Sequence, residues 1–103
     1  MTCGLARWTG EAGDPAAARD LFASLLPVLE RILGPEHPDT LVTRHELARW
    51  TGEAGDAAAA RDMFAVLLPV RERVSGPDHP DTLTARGNLA SWTSSAAAGP
   101  STA

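Results

Sequence analysis

The chain has no lysine, no tyrosine and a single cysteine, and its aromatic residues make up only 5% of 103 positions. One cysteine, Cys3, can form neither an internal disulfide nor a cysteine-built metal site. Near a chain end it reads as a thiol of no consequence. With no lysine, the basic charge is nine arginines against thirteen acidic residues, a net charge of −4. A nucleic-acid binder needs a concentrated basic patch, so that class of partner is not expected. No apolar stretch approaches the ~20 residues that span a bilayer, and a membrane partner is not expected either. The opening MTCGLARWTGEAG lacks the apolar region of a signal peptide. The cytoplasm is therefore the expected location. One isoleucine and one asparagine, beside abundant Ala, Arg, Gly and Pro, match GC-rich codons and point to a bacterial genome. The chain is nevertheless 44% hydrophobic, which suits one small globular domain and not a disordered segment.

What the sequence has is an internal repeat. LARWTGEAGD at Leu5–Asp14 returns at Leu47–Asp56, and GPEHPDTL at Gly34–Leu41 returns as GPDHPDTL at Gly76–Leu83. Trp8, Trp50 and Trp92 share the same spacing of 42, and about 35 of 47 positions from Leu5 to Thr51 are identical at that offset. Self-similarity of this kind marks a stacked-repeat architecture. The copy breaks down after Thr93, where SSAAAGPSTA follows.

Each unit reads as two helices. Gly34 and Gly76 suit the left-handed position just past a helix, and Pro35 and Pro77 cannot continue one. Pro38 and Pro80 suit a first helical position, with Asp39 and Asp81 adding charge in the first turn. Asp14 and Asp56 are expected to cap the second helices. The Ala-rich content and the helical spacing of Phe64, Leu67, Leu68 and Arg71 exclude strand. Five helices are predicted, at about Cys3–Glu11, Pro15–Leu33, Pro38–Glu53, Ala57–Ser75 and Pro80–Thr93. Residues 1–93 then form the repeat domain and 94–103 a flexible tail. Pro27 and Pro69 fall inside second helices. Each removes the hydrogen bond to the carbonyl of Ala23 or Ala65, and a kink is expected there.

LAxW…GEAGD, AAARDxFxxLLPxxER and GPxHPDTL together resemble the tetratricopeptide repeat, more narrowly its 42-residue form in kinesin light chains and large actinobacterial regulators. The resemblance covers roughly residues 4–93. Ala60 and Phe64, like Ala18 and Phe22, match the small and aromatic packing positions of the family's second helix. Leu47, Ala48 and Gly55 match the leucine, the small residue and the turn glycine of its first helix, while Thr51 departs from the usual aromatic. The resemblance implies an all-α fold, an α-solenoid of about two and a half repeats, whose concave face is lined by first helices. It also implies a protein-binding role without catalysis or cofactor.

His45, Arg49 and Glu53 follow one another at spacings of four, hence on one helix face. By the family's geometry that face lines the concave groove, with Arg7 and Glu11 from the preceding unit and Ser91 from the next. The alternative is a solvated face with ordinary ion pairing, worth about 0.2–0.5 kcal/mol per pair. The three tryptophans are expected in the core, since each buries enough area to dominate the stability of so short a chain. His37 and His79 precede Pro-Asp and are expected to serve the turn or the N-cap. Arg19-Asp20 and Arg61-Asp62 read as solvated surface. No nucleophile elbow, phosphate loop or metal-ligand cluster is present in the sequence, and no catalytic or metal residue is expected.

A scaffold binding a peptide or protein segment is the leading expectation. The alternatives are a self-assembling repeat unit, or the terminal arm of a larger nucleotide-dependent regulator. Leu83, Leu89 and Trp92 lie on a last first-type helix with no second helix after it. They are expected to form an exposed apolar strip that supports a homodimer.

Overall fold

The computed structural model describes Trp8 and residues 12–98, and among these residues all regular structure is helical. Four helices follow in chain order: α1 (Pro15–Ile32), α2 (Pro38–Glu53), α3 (Ala57–Val74) and α4 (Pro80–Ala98). The remaining expected helix, Cys3–Glu11, lies outside the described residues except for Trp8, which is helical. The last helix runs five residues past the expected end at Thr93. Ser94, Ser95 and the three alanines that follow carry no Gly or Pro to stop it.

The boundaries have local causes. The Asp14 carboxylate accepts from the Ala17 N–H at 3.1 Å, and Asp56 accepts from Ala59 at 3.0 Å. Each satisfies a donor that a helix start leaves bare, a contribution of about 1 kcal/mol. His37 Nδ1 accepts from the Asp39 N–H at 3.1 Å, and His79 Nδ1 accepts from Asp81 at 3.0 Å. Both histidines therefore serve as N-caps, as expected. Gly34 and Gly76 take φ of +100° and +101°, a conformation that a side chain would strain, and so turn the chain out of α1 and α3. Both of these helices run unbroken through Pro27 and Pro69. Ala23, Ala65 and the two prolines are exposed, so water can serve the carbonyls that lose their partner.

Each helix packs against its neighbours in sequence, and α2 also touches α4. The molecule extends 44 × 29 × 19 Å. Two apolar clusters hold it. Ala18, Phe22 and Trp50 form one, with Leu47 against it. Leu41, Ala48, Phe64 and Leu67 form the other, joined by Met63, Val70, Leu89 and Trp92. Phe22 and Phe64 are both fully buried, each worth about 1.5–3 kcal/mol against exposure. Because α2 lies between α1 and α3, it buries polar positions as well. Thr43 and Thr51 answer this by donating back to the carbonyls of Asp39 and Leu47. Thr40 and Thr82, fully buried one repeat apart, donate to the carbonyls of Leu29 at 3.5 Å and Arg71 at 3.3 Å. These bonds tie each turn to the helix before it.

Two expectations about apolar residues need correction. Trp50 is buried and Trp92 half-buried in the core, but Trp8 is 69% exposed. Trp50 is covered by Ala18 and Phe22 of the preceding second helix, a cluster that does not include Trp8. Leu89 and Trp92, expected on an exposed strip, turn inward onto the Phe64 cluster, leaving Leu83 exposed.

Candidate functional site

Of the residues expected on the binding face, Arg7 and Glu11 lie outside the described residues. The other four stand at different depths. Glu53, the last residue of α2, and Ser91, on α4, are exposed. Arg49 is half-buried, its guanidinium stacked 4.3 Å from the centre of the adjacent Trp50 ring. A stacked guanidinium keeps its donors directed outward while losing rotamer freedom in advance. The indole N–H of Trp50 donates to the buried Glu46 carboxylate at 3.1 Å, which fixes the platform under Arg49.

His45 does not stand on an open face with Arg49 and Glu53. Its ring packs edge-on against Phe64, with centroids 5.0 Å apart at 77°. Burial disfavours the charged imidazolium, and Arg71 and Arg49 nearby disfavour it further. Asp81 opposes them weakly, and the pKa falls to about 4. The ring is neutral at neutral pH.

Two depressions flank α2. One, of about 360 Å³, is mostly apolar and lies between α1 and α3, with Leu26, Leu47, Met63 and Val66 in its walls and Arg44 and Asp62 at its edge. The other, of about 170 Å³, lies where α2, α3 and α4 meet and is lined by Val42, His45, Glu46, Arg71, Asp81 and Thr84. Arg71 is the residue that sequence reasoning passed over, treating it only as a marker of helical spacing. It is 4% exposed, its Nη1 is 3.8 Å from Asp81 Oδ2, and its Nε has no hydrogen-bond partner. Burial pulls its pKa below the usual guanidinium value, and Asp81 partly restores it. A signal was available in the repeat, because the equivalent position in the first unit is Leu29.

Several further ion pairs among the described residues lie at the surface. Arg19–Asp20 and Arg61–Asp62 are exposed neighbours, as expected. Arg73 pairs with Glu36, and Arg86 with Glu72 at 3.0 Å, each linking one helix or turn to the next at small net gain. Among the described residues no cluster of His, Cys, Asp and Glu could hold a metal ion, and no helix is long and apolar enough to cross a membrane.

No curated protein matches the chain. The family model that does match is described as Tetratricopeptide repeat and covers residues 1–73. That span includes the first GPxHPDTL turn, both capping aspartates and the Phe22 and Phe64 packing positions. The family is a non-catalytic repeat scaffold whose members mediate protein–protein interaction. On this match, and on helices paired by a 42-residue repeat, the chain belongs to the tetratricopeptide repeat family.

Proposed function

We propose that the chain is a protein-interaction module of the 42-residue, solenoid-forming type, acting in a bacterial cytoplasm without chemistry of its own. A peptide or protein segment lies along the first-helix face, against Arg49 and Glu53 of α2 and Ser91 of α4, with Arg7 and Glu11 contributed by the preceding unit and His45 beneath. The observation that carries this reading is the pattern of divergence within the repeat. His45, Glu46 and Arg49 become Gly87, Asn88 and Ser91 in the next copy, while the surrounding LAxWT is kept. Residues that the packing does not demand are the ones a ligand can select.

The test uses a peptide selected on the intact chain from a display library. Replacing Arg49 and Glu53 with Ala should weaken that peptide by about tenfold, roughly 1.4 kcal/mol, with helicity unchanged. Replacing Arg61 and Asp62 on α3 should leave affinity intact. The opposite result would put the ligand on the second-helix side.

A second reading, homodimerisation through α4, is favoured by unequal burial between equivalent positions. Leu41, Ala48 and Thr51 are buried, the first two against Phe64 and Leu67 of α3, whereas their counterparts Leu83, Ala90 and Thr93 are exposed. A second copy laid on α4 would cover them, with Leu83 at the centre and Leu89 and Trp92 supporting it from below.

A further inference from the structure

The two outer helices of the stack are uncovered in complementary ways. Leu41 of α2 is fully buried, in one cluster with Phe64 and Leu67 of α3. Its counterpart one unit later, Leu83 of α4, is 49% exposed. His45 of α2 packs its ring on Phe64, whereas a Cβ added at the equivalent Gly87 of α4 would meet nothing within 4 Å. The first half of α4 therefore leaves open the kind of surface that α3 covers on α2.

The other side of the same contact is open on α1. Leu67 and Val70 of α3 are buried and half-buried, but their counterparts Leu25 and Val28 are half-buried and exposed. Ile32, the counterpart of Val74, is 67% exposed, against 40% for Val74. Phe22 is fully buried like Phe64, so the shortfall lies mainly in the second half of α1. In an antiparallel helix pair, the first half of one helix lies against the second half of the next. The open stretches of α4 and α1 are thus the two sides that α2 and α3 present to each other. Charge agrees with the match. Arg73 of α3 pairs with Glu36, just ahead of α2. The equivalent residues, Arg31 and Asp78, are opposite in sign, exposed and without an ion pair among the described residues.

We propose that α4 of one copy docks on α1 of a second copy as α2 lies on α3, so that copies join end to end. Leu83 then meets the second copy's Leu25 and Val28, and Asp78 meets its Arg31. The proposal shares with the second reading above the use of α4 as an interface, but the surface received there is α1 and not another α4. The groove reading is not involved. The contact is heterologous, because each copy offers α4 at one end and α1 at the other. It repeats the step from α2 to α3, so a second copy extends the stack and does not close it at two. Residues 5–9, LARWT, match 89–93, LASWT, so the chain's own opening residues compete with the second half of a docked α4 for one place on α1. That competition weakens the contact, and assembly is expected only at high protein concentration.

Analytical ultracentrifugation of the full chain, from low micromolar to millimolar protein, reads the assembly. The weight-average mass should rise with concentration past that of two copies. Ile32→Glu charges the α1 end and Leu83→Glu charges the α4 end. Both side chains are exposed, so each variant should keep the helicity and melting temperature that the parent shows at low concentration. Each variant alone should stay a single copy. An equimolar mixture should pair once, through the intact α4 of Ile32→Glu and the intact α1 of Leu83→Glu, and stop at two copies. A parent mass that levels at two, with Ile32→Glu still pairing, would overturn the proposal and leave the α4-to-α4 dimer standing. A parent that stays a single copy throughout would overturn both. A mixture of the two variants that fails to pair would overturn the end-to-end contact even if the parent assembles.

Discussion

Gly52→Ala inverts an ordinary rule of helix stability. Glycine in a helix interior costs about 0.8–1.0 kcal/mol relative to alanine, so the exchange normally stabilises. Gly52 lies in the last turn of α2 and is buried. A Cβ placed there would stand 2.6 Å from Trp92 Cζ2, 2.7 Å from Cη2 and 2.8 Å from Cε2. Carbon atoms rest at about 3.5–4.0 Å, so the indole would have to retreat by about 1 Å. Trp92 cannot retreat freely, because its ring belongs to the cluster of Leu41, Ala48, Phe64 and Leu67 that joins α2, α3 and α4. Overpacking of this kind costs about 1–3 kcal/mol, and the propensity gain returns at most about one. A net loss of about 1 kcal/mol is expected, which lowers Tm by about 4–8 °C in a domain of this size. Circular dichroism melts at matched concentration measure it. In a Trp92→Leu background the same Gly52→Ala change should raise Tm, since the ring that opposes it is gone. That change of sign is the coupling a double-mutant cycle isolates. An increase in Tm for Gly52→Ala alone would refute the reasoning.

Asp56→Ala removes the carboxylate that caps α3 and should cost about 1 kcal/mol in a denaturant titration, with the slope unchanged. Stability should also fall on mild acidification. The folded pKa of His45 is held at about 4 against an unfolded value of 6.5, so below pH 6.5 the unfolded chain takes up a proton that the folded chain refuses. The loss begins near pH 6.5, continues to about 4 and amounts to about 2 kcal/mol between pH 7 and 5; His45→Gln should remove that part of the slope in urea unfolding. If α4 carries the homodimer, Leu83→Glu should give a monomer by light scattering at concentrations where the parent chain has twice the mass. Equal masses for the two chains would dismiss that interface.

The turns and caps were legible because their causes are local. Gly34 and Gly76 turn the chain, Asp14 and Asp56 cap the helices that follow them, and His37 and His79 accept from the N–H two residues on. The packing role of Phe22 and Phe64 was legible too, since a side chain that recurs at one helical phase in every unit has the same neighbours each time. Local pattern could not say what covers a surface, and there the sequence reading departed from the fold. Trp8, Trp50 and Trp92 share one motif, yet one is exposed, one buried and one half-buried, because burial depends on which helix lies opposite. Leu89 and Trp92 turn inward for the same reason, as α3 supplies the Phe64 cluster that receives them. Gly52 reads in sequence as a weak point of a helix, and only the arrival of Trp92 from 40 residues away makes it necessary. His45 and Arg71 are 26 positions apart on different helices, and the pocket they share exists only once α2, α3 and α4 have packed. By itself the sequence determined the helices, their limits and their repeat, which depend on neighbours within a few residues. The tertiary structure alone decided which equivalent residues are buried and which charges meet, because those depend on distances between helices that no spacing along one chain encodes.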